Sequence, residues 1–299
     1  MIIYGFILKI CKKINEYFMN NLQKPDWIRT KLTSTSNFST VHQTIQQHQL
    51  HTICESGKCP NLSECWNRGT ATFMILGEIC TRSCKFCNTA TGRPLPPDPA
   101  ESQAIAEAIY FLKLKHAVIT SVDRDDLTDK GASFWAKTIR AIQAKNPHTT
   151  IEVLIPDFDG QHDLLDKIIQ EKPNIISHNM ETVRRLTPLI RSKARYETSL
   201  AVLNYVASQG IITKTGIMVG LGETEEEVLE LMDDVLNIGC SILTIGQYLQ
   251  PSKKNIPVSA YISPQQFEKY KEIGLKKGFK YVESAPFVRS SYFAEKHII

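Results

Sequence analysis

Short apolar runs alternate with amphipathic stretches along most of this chain. The runs at 71–77, 117–121, 150–155, 174–178, 211–219 and 241–246 are apolar and bounded by turn residues, which predicts buried strands. Between them, 100–115, 131–145, 196–209 and 224–238 carry apolar residues at helical spacing. Strands alternating with helices predict parallel βαβ units whose sheet is covered by helices. Six units predict an α/β fold, a partial (β/α)6 barrel of the TIM type, with chemistry beyond the C-terminal ends of the strands. Polar, charged or glycine residues follow every predicted strand, as that rule requires: Ser121 and Asp123, Asp157, Asn179 and Glu181, Gly220 and Gly222, Gln247. As helix caps and turns each has an ordinary reading, so the pattern counts only as a set.

The ends read differently. Residues 1–24 begin with ten mostly apolar residues, too few to span a bilayer. Lys9, Lys12 and Lys13 follow that run, the wrong polarity for a secretory signal, and there is no Arg to suggest a transit peptide. The segment is read as a leader outside the fold, with Met19 as an alternative start, and the chain is expected in the cytoplasm. Residues 25–70 read as an N-terminal extension, with a polar helix around 41–49 whose His42 and His48, like the nearby His51, are expected to be solvated. Residues 71–283 form the barrel and 284–299 a C-terminal segment. A formal charge of +4 does not make the basic stripe that nucleic acid requires, though it suits an acidic protein partner.

Cysteine usage changes the picture. Of eight cysteines, Cys54, Cys59, Cys65, Cys80, Cys84 and Cys87 crowd into 34 residues. In a long chain without an export signal such clustering points to metal rather than disulfides. Cys80, Cys84 and Cys87 leave the first predicted strand at a C-x3-C-x2-C spacing, which suits three corners of a cubic iron–sulfur cluster with one iron open. Cys54, Cys59 and Cys65 form a second triad on a segment broken by Gly57 and Pro60, expected to be an irregular loop. Zinc is the alternative at either triad, although zinc ligands usually come as two close pairs. Cys11 and Cys240 are read as inert thiols.

The C-x3-C-x2-C spacing resembles the radical S-adenosylmethionine (SAM) enzymes, in which SAM chelates the open iron. The double triad together with Arg289-Ser290-Ser291-Tyr292 resembles the lipoyl synthase family, over about residues 25–292. The resemblance implies two 4Fe–4S clusters. One is held by Cys80, Cys84 and Cys87 and cleaves SAM to a 5′-deoxyadenosyl radical. The other, an auxiliary sulfur donor, is held by Cys54, Cys59, Cys65 and Ser291; choosing Ser291 over Ser290 rests on the family motif. Ser121 and Asp123 occupy the place where related barrels hold the SAM amino group, and Asn179 and Gly220 are further implied SAM contacts. As a dinucleotide fingerprint the Gly220 segment fails, because its third glycine is missing. The implied reaction inserts two sulfur atoms at C6 and C8 of an octanoyl group on a carrier lysine. Those carbons are unactivated, beyond acid–base chemistry, so a cofactor must supply a radical route. Implied partners are octanoylated lipoyl domains of 2-oxoacid dehydrogenase complexes or the glycine cleavage H protein, with reduced ferredoxin or flavodoxin as electron donor, and neither nucleic acid nor membrane. Two rivals remain: a sulfur inserter of the biotin synthase type, which lacks the upstream triad, and a non-catalytic zinc- or cluster-carrying module.

Overall fold

The computed structural model describes residues 23–29 and 35–297; residues 1–22 of the expected leader, with Cys11 and Met19, lie outside the described residues, while Lys24 at its end lines the cavity described below. Seven strands run parallel in one sheet: β2 (Thr72–Ile75), β5 (His116–Ser121), β6 (Thr150–Leu154), β7 (Ile175–Ser177), β8 (Ile212–Val219), β9 (Ile242–Gln247) and β10 (Tyr281–Ser284). The strand β1 (His51–Thr52) adds to β2 antiparallel, so the order is β1-β2-β5-β6-β7-β8-β9-β10. A separate small pair, β3 (Ile79–Cys80) with β4 (Ala90–Thr91), sits in the connection after β2. The six expected barrel strands are present in chain order, and β10 adds a seventh parallel strand beyond them.

Ten helices are described. They are α1 (Ser36–Gln47), α2 (Ile53–Ser56), α3 (Leu62–Asn67), α4 (Glu101–Phe111), α5 (Ala132–Lys145), α6 (His162–Ile169), α7 (Thr187–Ile190), α8 (Tyr196–Ser208), α9 (Glu225–Asn237) and α10 (Pro264–Lys277). Their starts carry local signals. Thr224 and Glu227 form a reciprocal capping box on α9, and Ser263 caps α10 ahead of Pro264. The segment expected as an irregular loop around the upstream cysteines is helical instead. Gly57 and Pro60 divide it into α2 and α3, rather than unwinding it, and Thr52 caps the first by accepting from Glu55 N–H.

Side-chain alternation along the strands explains the interior. On one face of the sheet, Met74, Thr120, Leu154, Gly216, Met218, Thr244 and Gly246 line a common cavity. Residues from β2 and from β9 face the same space, so the sheet curls into an open barrel. One step deeper on the same face lies a polar floor. Glu152 and Lys214, both fully buried, pair at 2.9 Å, and Ser177 donates to Glu152 Oε1 at 2.9 Å. His116 stands 3.7 Å from the same carboxylate. Burial alone raises the Glu152 carboxyl, but the Lys214 ammonium and His116 outweigh it and hold it at about 2.

The chain after β10 closes the gap between the sheet's two ends. Phe287 O accepts from Asn61 Nδ2 at 2.6 Å, Tyr292 donates to Glu64 at 2.9 Å, and Arg68 lies over the Phe293 ring and pairs with Glu295. Its last described residue, His297, is buried under the floor, 3.9 Å from Glu283.

Removing the Lys214 ammonium leaves Glu152 as an uncompensated buried carboxylate. Lys214→Ala is therefore expected to cost about 3–5 kcal/mol in urea unfolding of the metal-free protein, while Glu152→Gln with Lys214→Met recovers much of it. Equal losses in the two proteins would show that the pair does not act as one unit.

Burial holds His178 and His297 neutral down to about pH 4, against 6.5 when free. Between those values the unfolded chain binds more protons than the folded one. Stability is thus complete above about pH 6.5 and falls as the pH drops toward 4. A denaturant midpoint that stays flat across that window would contradict the assignment.

Candidate functional site

The cavity above the floor has a volume of about 580 Å³. Cys54, Cys59, Cys80, Cys84, Cys87 and Ser291 all line it. Cys65 lies just behind, lining a smaller cavity with Cys54, Cys59 and Ser291. The two triads separated in sequence therefore meet at one space, with the first carried by α2, α3 and the turn between them and the second by the loop after β3.

That loop is fixed from several sides. Thr81 N–H and hydroxyl both donate to Asp123 O, at 3.0 and 2.9 Å. Lys85 N–H donates to Ile190 O at 2.8 Å, and Asn255 Nδ2 to Cys87 O at 2.8 Å. Arg82, inside the loop and buried, does most. Its guanidinium makes paired bonds to Asp125 at 2.8 and 3.0 Å and to Asp157 at 2.9 and 2.8 Å, with Asp123 at 3.3 Å. Burial works against its charge, yet Asp125 and Asp157 prevail and raise its pKa. Paired bonds of this kind fix direction as well as distance.

The segment after β5 feeds this arrangement residue by residue. Asp123 places its carboxylate 3.6 Å from Cys80 Sγ, and its N–H donates to that sulfur at 3.3 Å. Arg124 donates to Leu76 O and Leu95 O and is paired with Asp126, which holds the turn leading into the thiol loop. Glu101, at the start of α4, accepts from Leu76 N–H at 2.7 Å on the other side of that turn.

The thiols are poor anions in this setting. Burial pushes Cys54, Cys65 and Cys80 up to about 12, and raises Cys59 and Cys87. Neighbouring thiols add to the effect: Cys54 and Cys59 on Cys65, and Cys87 on Cys80. A bound cation reverses that order, since a coordinating thiol is deprotonated outright. The donor set therefore fits a metal group with several corners. Among the described residues no three His, Cys, Asp or Glu side chains gather about a single-ion position. A cluster asks instead for one thiolate at each of several corners.

The remaining implied contacts divide. Ser121 lines the cavity as a residue, and its Oγ is buried without a hydrogen-bond partner. Asp123 and Asn179 line the cavity too, but each is already engaged, Asp123 with Arg82 and Asn179 with Glu181 and Ser290. Gly220 is not among the lining residues. Its φ of +95° and a β-carbon's 2.1 Å approach to Gln247 Nε2 make it a packing glycine of the strand end. Gly216 and Gly246 do line the cavity and are packing glycines as well, since a β-carbon would strike Thr244 Oγ1 at 2.5 Å and Val288 O at 2.0 Å. The two serines of the tail part company. Ser290 is bonded to Asn179 at 2.7 Å, whereas Ser291 accepts from Thr72 at 2.8 Å and borders the smaller cavity beside Cys54, Cys59 and Cys65. Residues that carried no role in the sequence also line the site, notably Glu181, Arg191 and Arg289. Arg191 donates to Asn179 O, and Arg289 feels the opposite charge of Glu181.

Comparison with known proteins agrees with this geometry. Residues 74–235 match the Radical SAM superfamily. Lipoyl synthase of Parabacteroides distasonis is 64% identical over 278 residues, 93% of this chain and 99% of that one. The chain belongs to the lipoyl synthase family. Lipoyl synthase of Treponema denticola is 59% identical over 279 residues, 93% of this chain and 96% of that one. Among solved structures, methylornithine synthase superposes with a TM-score of 0.54 over 90% of this chain and 85% of that one, at 12% identity. SuiB of Streptococcus suis bound to S-adenosylmethionine superposes with a TM-score of 0.55 over 75% of this chain and 54% of that one, at 10% identity. At such identities the likeness is one of fold. A lipoyl synthase is an enzyme of the radical SAM kind, and no helix among the described residues of this one is long and apolar enough to cross a membrane.

Arg82→Lys keeps the charge but cannot make paired bonds to two carboxylates. We expect it to cost about 2–4 kcal/mol in unfolding of the metal-free protein, and to speed the reaction of the Cys84 and Cys87 thiols with a thiol reagent. Unchanged stability and reactivity would show that the loop is held by its backbone bonds alone.

Proposed function

We propose that this chain inserts two sulfur atoms at C6 and C8 of an octanoyl group on the lysine of a lipoyl carrier domain, using SAM and two 4Fe–4S clusters. What carries the reading is that five of the six clustered thiols, with Ser291, line one cavity, and the sixth, Cys65, lies just behind it beside Cys54, Cys59 and Ser291. Cys80, Cys84 and Cys87 would hold the SAM-binding cluster, and Cys54, Cys59, Cys65 and Ser291 the auxiliary one. When bound, these groups supply hydrogen-atom abstraction and the sulfur.

The protein's own part is placement. Arg82 and the strand-end aspartates fix the loop on which one set of thiols stands. Ser121, with its free hydroxyl, and Asp123 and Asn179 are positioned to orient SAM. Gly216 and Gly246 let Thr244 and the tail at Val288 pack close against the strands, which sets the boundary of the cavity. The walls Met74, Leu154 and Met218 are apolar, which suits an octanoyl chain and keeps water from the reacting carbons. Ser291 is a harder donor than a fourth cysteine would be. Iron in a sulfur-rich cluster holds such a ligand less durably, which favours release of sulfur from that corner. The carrier is a lipoyl domain of a 2-oxoacid dehydrogenase complex or the glycine cleavage H protein, and the electron donor a reduced ferredoxin or flavodoxin.

Anaerobic reconstitution should give about eight irons per chain, as two cubic clusters require. With SAM, a strong reductant and an octanoyl-lysine peptide, the protein should release 5′-deoxyadenosine and yield a peptide heavier by two sulfurs. Zinc in place of iron, or no SAM cleavage, would overturn the reading.

Ser291→Ala is expected to keep SAM cleavage but lose sulfur insertion. Ser291→Cys should bind both clusters and slow sulfur insertion; a variant that inserts both sulfurs at the normal rate would sink the idea of a weak corner.

A further inference from the structure

The cavity opens to solvent at a few residues. Of those that line it, Lys24, Lys58 and Gln250 are exposed, and the others are buried or half-buried. Two of the three that mark the mouth are lysines. Gln250 leads into a loop that carries the exposed Lys253 and Lys254. That loop is tied to the thiol loop, for Ile256 N–H donates to Lys85 O at 3.0 Å and Asn255 Nδ2 to Cys87 O at 2.8 Å. The tie sets the exposed Lys85 beside Lys253 and Lys254.

Among the described residues these five lysines are in no ion pair; the lysines that are paired are Lys130, Lys167, Lys193, Lys214, Lys269, Lys276 and Lys277. The segments around the mouth, 56–63, 79–97, 249–267 and 284–294, contain no Asp or Glu at all. Glu55, exposed and just beyond one of them, keeps its charge and accepts from the Thr52 hydroxyl, so the acidic residues nearest in sequence stand at the edges of these segments. Elsewhere the same chain pairs its surface charges freely, as Arg140 does with Glu171 and Arg185 with Glu227. An unpaired, one-signed rim around an entrance focuses its field outward and raises the encounter rate of an oppositely charged partner.

We propose that this lysine rim docks an acidic face of the protein that carries the octanoyl-lysine. The inference rests on the reading of the site given above and adds the docking surface to it. The acyl chain is covalently fixed to its carrier, so when the chain enters the cavity the body of the carrier stops at the mouth. The surface surrounding the modified lysine then meets Lys24, Lys58, Lys85, Lys253 and Lys254. An electron donor has no such obligation, because its electron need not pass through the mouth.

Lys253 and Lys254 are exposed and touch no proposed ligand, so their reversal tests the rim without disturbing the site. With the intact octanoylated carrier domain, Lys253→Glu with Lys254→Glu is expected to raise KM about tenfold or more with kcat little changed, and Lys253→Gln with Lys254→Gln to fall between. Binding of the carrier followed by fluorescence anisotropy, without turnover, should weaken in the same order, and added salt should weaken the parent protein most. A short octanoyl-lysine peptide, which has no body to dock, should be used equally by all three proteins. Unchanged KM and affinity for the carrier in the double reversal would overturn the proposal. So would a defect that appears only when a protein electron donor replaces a chemical reductant. Failure of the parent protein to act on the peptide would instead strike the proposed reaction itself.

Discussion

The guanidinium of Arg82 joins three parts of this molecule that sequence keeps apart: the thiol loop after β3, the segment after β5 and the segment after β6. Burying a cation costs several kcal/mol, and an unpaired one would not be tolerated. Here the cost is offset by four bonds to Asp125 and Asp157 and by the nearby Asp123 and Asp159. The same bonds give the loop a direction, because a planar fork facing two carboxylates has few ways to fit. A loop with three thiols and no regular structure would otherwise be free to turn them outward. The carboxylates in turn need Arg82. Without it, Asp123 would sit beside Cys80 with its charge uncompensated, a poor neighbour for a thiolate.

The parallel strands explain why such a cage can form at all. Their C-terminal ends bring the polar residues of successive connections to one rim, so side chains distant in sequence become neighbours at no cost in chain entropy beyond that of the fold. The opposite end does different work. Glu152, Lys214, Ser177 and His116 fill the interior where an all-apolar barrel would place branched aliphatics. This floor keeps the cavity shallow, ending it just below Leu154, Gly216 and Thr244.

How much of this was readable depended on range. The apolar runs of β2, β5, β6, β8 and β9 and the helices between them are local patterns, and the structure keeps them within a few residues. The cysteine spacings are equally local, and the convergence of both triads follows from placing each next to a strand end. Arg82 sat in full view between Cys80 and Cys84, but its partners lie 43 and 75 positions away. Glu152 and Lys214 are single charges in apolar runs, and nothing local marks them as a pair. The helix α10 has cap residues Ser263, Pro264 and Gly278, but its mostly polar sequence gives little helical periodicity. Gly220 drew attention through its motif, whereas Gly216 and Gly246, against which Thr244 and the tail pack, have no local mark beyond being glycines. Only the neighbours a β-carbon would strike distinguish them.

The tail ties these threads together. Residues 285–297 close the open side of the barrel, bonded to α3 through Asn61 and Glu64 and to β2 through Thr72. Ser291 stands in the middle of that closure, between the bonded Phe287 and the buried His297. A ligand on a free loop could leave and return at little cost, and a ligand on a core strand could hardly leave at all. Ser291 has an intermediate hold: one hydroxyl bond from Thr72, on a segment anchored at both ends by other residues. For the role proposed for it, this hold would let the side chain exchange a metal group for Thr72 without the tail coming away. The exchange without unfolding that the proposed weak corner requires is thus compatible with where the closing segment is fastened.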